Sequence, residues 1–270
     1  AEFYPKDPDG STPIAFLWAR TITCEGPGCG AVVPLMRSFW LAKKGAVALR
    51  LIPIPHEKRI DFEIIRNAKA KDVGHGTVKK GSLTCPICNF TTPVTSVRTQ
   101  LKARRGGTND ARLTCVVLTY PGRQGRNYRL PSPADFDAIK RASSKLEEVA
   151  KISNGLSLVP NEKINITEPR RIPLPMYGMD HWDDLFTKRQ QLTTATFGNL
   201  VKRLPDSKDE LAIAVKTILG LSASKLADRN SSLCRWIYQN QSPGYTFGRQ
   251  ALPMLWDFTE SSPLESGGGW

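Results

Sequence analysis

The sequence predicts an α+β fold, with a β-rich zinc-ribbon domain carrying a large insertion over residues 1–130 and a mainly α-helical region over 131–270. Three observations lead there. Four cysteines stand in two short pairs, Cys24 with Cys29 and Cys85 with Cys88. Near residue 130 the apolar pattern changes from short β-branched runs to helical spacing. Charge changes at the same place: residues 1–130 hold 21 Lys and Arg against 9 Asp and Glu, while 131–270 hold 17 against 16.

In chain order, the runs Ile14 to Thr23, Ala31 to Trp40, Ala46 to Ile54, Ile60 to Ile65 and Leu113 to Tyr120 read as strands, separated by Gly, Pro and charged turns. Lys102 to Asp110, centred on Gly106-Gly107, reads as a mobile basic loop. Ser132 caps a first helix with Pro133 at its first position and Asp135 reaching back. Phe136, Ile139, Leu146 and Val149 supply its apolar face, and Asn154-Gly155 its end. A proline-rich connector over 159–175 follows, expected to run extended over the surface. A second helix is expected from near Asp180 to Pro205. A third over Asp209 to Leu219 buries Leu211, Val215, Ile218 and Leu219 and is closed by Gly220. A fourth helical segment over Ala223 to Tyr238 is interrupted at Asn230-Ser231-Ser232.

The cysteine pairs carry the most specific chemistry. Cys85-Pro86-Ile87-Cys88 has the two-residue gap of a zinc knuckle, and Cys24 to Cys29 has four intervening residues, still within the range for such turns. Its glycines permit the positive φ that a thiolate-bearing turn needs. Six cysteines in 270 residues are too sparse for a disulfide-stapled scaffold, so the four are expected to hold a structural Zn2+, with His75 in Gly74-His75-Gly76 as an alternative ligand. Cys115 and Cys234 lack a paired neighbour and read as core residues.

The basic half is expected to attract polyanions. Its candidate DNA contacts are Lys43, Lys44, Lys79, Lys80, Lys102, Arg104, Arg105, Arg123 and Arg126. A run of cations is equally the ordinary content of a solvated face. No window is long and apolar enough to span a membrane, and a cytoplasmic location is expected. The chain begins with Ala and ends at Gly267-Gly268-Gly269-Trp270, so it is expected to be a segment of a longer polypeptide. No nucleophile with a base beside it can be read, and no phosphate loop lies between a strand and a helix, so no catalytic residue is assigned. The acidic group at Asp180 to Asp184 suits the first turn of a helix without any metal.

Ala15-Phe16-Leu17-Trp18-Ala19-Arg20-Thr21 leading into Cys24 and Cys29, then Val33-Pro34-Leu35 and Phe39-Trp40-Leu41, resemble the middle region of adenine-specific DNA methylases that contain a zinc ribbon. The likeness continues through Tyr177-Gly178, Trp182 to Phe186, Arg189-Gln190, Ala227 to Ser231 and Phe247 to Phe258, and covers nearly the whole chain. It implies a parent enzyme that uses S-adenosylmethionine, whose glycine-rich cofactor motif and Asp-Pro-Pro-Tyr motif are both absent from these residues. This segment is therefore expected to be inactive alone, contributing DNA binding and packing on the remainder of the methyltransferase core. Asn230, Arg235, Arg249 and Asp257 are the polar residues of interest in its helical half, with caps and ion pairs as the plain alternative. A rival expectation is a stand-alone zinc-ribbon adaptor that binds nucleic acid or protein without catalysis.

Overall fold

The fold is seen in a computed structural model that describes residues 2–152, 157–165, 170–206 and 208–264. In chain order the strands β1 (Thr12–Ala19), β2 (Thr21–Thr23), β3 (Val32–Pro34), β4 (Trp40–Ala42), β5 (Val47–Ile54), β6 (Arg59–Ile65), β7 (Val78–Lys79), β8 (Ser82–Thr84) and β9 (Thr91–Thr92) lead into helix α1 (Val94–Lys102). Then come β10 (Arg112–Thr119), β11 (Asn127–Arg129), α2 (Pro133–Ile152), α3 (Lys188–Lys202), α4 (Glu210–Arg229), β12 (Trp236–Ile237), β13 (Ser242–Pro243) and β14 (Asp257–Ser261). The molecule is α+β, with several small antiparallel sheets and four helices among the described residues.

The apolar run of β1 is buried on both faces, which is why it reads as continuous rather than alternating. It lies between β10 and β14 in a sheet of order β11-β10-β1-β14. Leu17, Cys115, Val117 and Tyr128 face one core; Phe16, Trp18, Val116 and Phe258 face another. Because β14 comes from the end of the chain, the regions on either side of residue 130 share one sheet. They also share a core, in which Ile22, Val33, Leu83, Val97 and Leu101 pack with Leu174, Met179, Leu233 and Trp256.

Two hairpins frame that shared core. Strands β2 and β3 pair from Thr21 with Pro34 to Thr23 with Val32, and β8 pairs with β9 through Leu83 with Thr92 and Thr84 with Thr91. The sequence between them forms the β4-β5-β6 meander, the insertion expected from the cysteine spacing. Helix α1 follows the second hairpin and ties it to the first. Gln100 accepts from the Thr23 N–H at 2.8 Å and donates to Thr23 O at 3.0 Å, while Val97 and Leu101 are fully buried.

Several elements depart from the sequence reading. Lys102 to Asp110 is a packed turn rather than a mobile loop. Gly106 and Gly107 are buried, and a Cβ at Gly106 would come within 2.4 Å of Met179. Arg20, fully buried, donates to Gly106 O at 2.6 Å and Thr108 Oγ1 at 2.7 Å, which fixes the turn from beneath. The connector is not simply extended over the surface. Its apolar residues Ile164 and Leu174 are buried, the second opening a 3-10 turn over Leu174–Tyr177. Pro169 lies outside the described residues, as does the expected helix end at Asn154-Gly155.

Helix α2 begins as expected, with Ser132 N and Oγ donating to Asp135 Oδ2 at 2.7 and 2.8 Å. Its buried face, however, runs through Ala138, Ala142 and Leu146 and leaves Phe136 exposed. The helix expected from Asp180 starts later. Asp184 accepts from the N–H groups of Asp180 and His181 and caps a 3-10 turn over Trp182–Leu185 instead. Helix α3 then starts at the Thr187 and Gln190 capping box. Gly220 does not close a helix; α4 continues through it to Arg229, because one internal glycine costs only about 1 kcal/mol. The expected fourth segment is divided: Ala223 to Arg229 form the last turns of α4, the interruption falls at Asn230 as expected, and beyond it a turn and the short β12-β13 hairpin stand in place of helix.

Candidate metal centre and basic surfaces

Each cysteine pair sits at the tip of one hairpin. The Cys24 N–H bonds Ala31 O, and the Cys85 N–H bonds Phe90 O, so each loop is closed by the last rung of its ladder. The tips meet: Cys24 Sγ lies 3.5 Å from Cys88 Sγ, and Cys29 Sγ lies 3.8 Å from Cys85 Sγ. All four sulfurs lie within 4.8 Å of one another, an arrangement that could hold a metal ion. These residues are 56 and 64 positions apart in the chain, so the cluster exists only because the meander is looped out between the hairpins.

Backbone amides point at the sulfurs. Gly26 N–H donates to Cys24 Sγ at 3.3 Å and Ile87 N–H to Cys85 Sγ at 3.4 Å. Burial pushes the Cys24 and Cys29 thiols up, whereas the Phe90 N–H pulls Cys88 down. Gly28 and Gly30 have positive φ, whereas Gly26 is required by contact. A Cβ there would stand 2.9 Å from Cys88 Sγ and 2.8 Å from Phe90 Cβ. His75 is exposed and stands outside the cluster.

Cys115 and Cys234 are fully buried core thiols, as expected, and burial raises both. His181, Asp183 and Asp184 also bring donor atoms together, but Asp184 already receives Arg105 Nε at 2.7 Å and two backbone amides. That cluster is accounted for as the cap of a turn.

The basic residues divide by their internal partners. Lys43, Lys44, Lys79, Lys80, Lys102 and Arg123 are exposed, with Lys43 Nζ 5.2 Å above the Trp40 ring and Arg123 5.6 Å from that of Tyr120. Lys79 and Lys80 crown the turn between β7 and β8. Arg104 and Arg105 are engaged inside the molecule: Arg104 with Asp110 at 2.7 Å and with Thr21 O, and Arg105 with Asp183 at 3.2 Å and Asp184. Arg126 is partly buried and also has an interaction partner. Of the four polar residues singled out in the carboxy-terminal half, Asn230 is structural. It is fully buried and accepts from Gln190 Nε2 and from the Ser261 N–H, both at 2.9 Å. Arg235, Arg249 and Asp257 line cavities instead, together with Arg37, whose place the sequence did not signal.

No protein-family model, curated protein or solved structure matches this chain. No described helix is long and apolar enough to cross a membrane.

Proposed function

We propose that this chain is the DNA-contacting segment of an S-adenosylmethionine-dependent adenine-N6 DNA methyltransferase, built around a structural zinc ion on Cys24, Cys29, Cys85 and Cys88. The observation that carries the reading is the meeting of two distant thiol hairpins inside the basic half of the chain. A tetrahedral zinc with Zn–S near 2.3 Å requires sulfurs about 3.8 Å apart, and the observed pairs lie at 3.5 and 3.8 Å. Four soft thiolates select zinc over hard cations, and four protein ligands leave no open position for a catalytic water. The ion would serve as a cross-link between β2-β3 and β8-β9.

On this reading the exposed lysines follow the phosphate backbone, while methyl transfer belongs to a separate core that binds the cofactor and the Asp-Pro-Pro-Tyr loop. Helix α4 supports a packing role. Leu211, Ile218 and Leu221 are more than 60% exposed, an apolar surface suited to a protein partner such as that core.

Elemental analysis of reductively purified protein should find about one zinc per chain; protein that folds without stoichiometric metal refutes the centre. Gly26→Ala should weaken metal affinity about ten- to hundredfold, the size of a disturbance just outside the ligands, because the added Cβ crowds Cys88 Sγ; competition with a chelating dye reads it. Binding to duplex DNA should weaken steeply with salt, and combined neutralisation of Lys43, Lys44, Lys79 and Lys80 should flatten that dependence. Robust methyl transfer by this chain alone would refute the division of labour.

A further inference from the structure

Two cavities, of about 290 and 220 Å³, adjoin beside strand β14, and Arg37, Arg235, Ile237 and Leu255 line both. Phe39, Trp40, Trp236 and Tyr238 wall the larger one. Its aromatic side is held in place: Trp236 Nε1 donates to Leu41 O at 2.7 Å and its ring meets Tyr128 edge-on at 6.5 Å, while Trp40 lies under Lys43 Nζ.

Asp257 also lines this cavity. Its Oδ1 accepts the Arg37 N–H at 3.1 Å, and among the described residues its Oδ2 receives no hydrogen bond from another residue and no cation lies within 4.0 Å. Burial pushes this carboxyl up to about 6, against the opposing pull of the Arg37 N–H and the Arg37 charge. Arg37, Arg235 and Arg249 are exposed at the two cavities, and none forms an ion pair within 4.0 Å among the described residues. Gly244 seats the Arg235 stem; a Cβ there would lie 3.2 Å from Arg235 Cγ.

Flat aromatic walls favour a planar ring, an unshared carboxylate oxygen favours a ring bearing N–H donors, and unpaired guanidiniums favour phosphate. One ligand class combines all three. We propose that this groove binds a single nucleotide with an amino-bearing base: the base stacks in the aromatic cavity and donates to Asp257, and the phosphate rests on Arg37, Arg235 and Arg249. The larger cavity is at the lower end of ligand-pocket sizes, about 300 Å³, which suits one base rather than several. The nucleotide comes from a single strand or is a free mononucleotide, and only the first source rests on the nucleic-acid reading above.

The test uses the whole chain with labelled oligo(dA), oligo(dC) and oligo(dT) strands, and with dAMP and dTMP, followed by anisotropy and by tryptophan fluorescence. Wild type should prefer the amino-bearing strands over oligo(dT) about tenfold, the value of one hydrogen bond to a charged group. Asp257→Ala should abolish that preference, with the melting curve confirming a folded protein. Arg235→Gln, at an exposed position, should weaken all strands about equally and lower the salt slope by about one. Strand binding that both variants leave unchanged, but that Lys79→Glu with Lys80→Glu removes, overturns the groove and keeps the nucleic-acid reading. Variant-sensitive binding of dAMP without strand binding supports the groove and assigns it a free mononucleotide. Wild type that binds neither strands nor mononucleotides overturns the groove, while the duplex titration above decides the nucleic-acid reading separately.

Discussion

Strand β14 and helix α4 come from the same carboxy-terminal stretch and are used in opposite ways. In β14 the residues from Phe258 to Ser261 are buried, and the strand is welded to the amino-terminal half by polar as well as apolar contacts. Glu260, with no exposure, accepts Arg189 Nε at 2.6 Å, the Tyr4 hydroxyl at 2.8 Å and Trp18 Nε1 at 2.9 Å. Arg189 lies 4.0 Å from the Phe16 ring centroid and 4.4 Å from that of Tyr4, so aromatic faces as well as acceptors surround its guanidinium. Helix α4 has one fully buried side chain, Leu226, along twenty residues and otherwise offers apolar surface to its surroundings. Fold stability therefore concentrates where the chain ends meet, and capacity for partners concentrates on the arm.

The largest expected effect breaks the β14 side of this contrast. Glu260→Ala strips a buried arginine of its only ion-pair partner among the described residues, removes the acceptor of Trp18 Nε1, and leaves Tyr4 only the longer contact with Thr193 Oγ1 at 3.4 Å. Removing one member of a buried pair costs about 3 to 5 kcal/mol, which chemical denaturation will register as a lowered midpoint of a cooperative transition. Loss near zero would mean that β14 is peripheral to the fold.

A smaller effect of opposite sign sits three residues earlier on the same strand. The Asp257 carboxyl is held near pKa 6 against an ordinary value of 3.8, so the folded state keeps a proton that the unfolded chain releases. This contribution is fully present below pH 3.8 and is lost as pH rises through about 6. The raised carboxyl thus costs at most about 3 kcal/mol at neutral pH. Asp257→Asn retains an acceptor for the Arg37 N–H and removes the titration, so the variant's stability should not fall between pH 4 and 6.5 as that of wild type does. Parallel curves for the two proteins would contradict the enclosed carboxyl.

How much of this was legible follows from range. The cysteine cluster and the cap of α2 declare themselves through residue types at fixed short spacing, Cys85 with Cys88 and Ser132 with Asp135, because the local turn creates the geometry. Strand β14 does not, since its partner β1 lies more than two hundred residues away and Asp257 to Ser261 carries no alternating pattern. Helix α1 was hidden by Val94, Thr95, Val97 and Thr99, whose β-branched side chains lower helix propensity although Val97 and Leu101 are spaced for one buried face. The aromatic cavity joins Trp40 to Trp236 and Arg37 to Asp257 across most of the chain, so only tertiary structure assembles it. Pattern also misled: the spacing of Leu211, Val215, Ile218 and Leu219 promised a core, but among the described elements only α3 makes extensive contact with α4.

That last mismatch yields the smallest expected effect on stability and sharpens the contrast most. Leu211 and Ile218 are 71% and 62% exposed, so Leu211→Glu with Ile218→Glu removes little surface that folding has buried. Exposed positions away from caps and networks shift stability within about 0.5 kcal/mol, and the melting transition should stay where it is. The side chains matter if α4 docks on a partner, because a charge placed in an apolar interface is desolvated without compensation. Co-expression with the catalytic core of the proposed enzyme should then yield a complex with the unaltered chain and none with the doubly charged variant. A variant that melts much earlier would show that α4 belongs to the fold it adjoins, and the division between welded strand and free arm would fail.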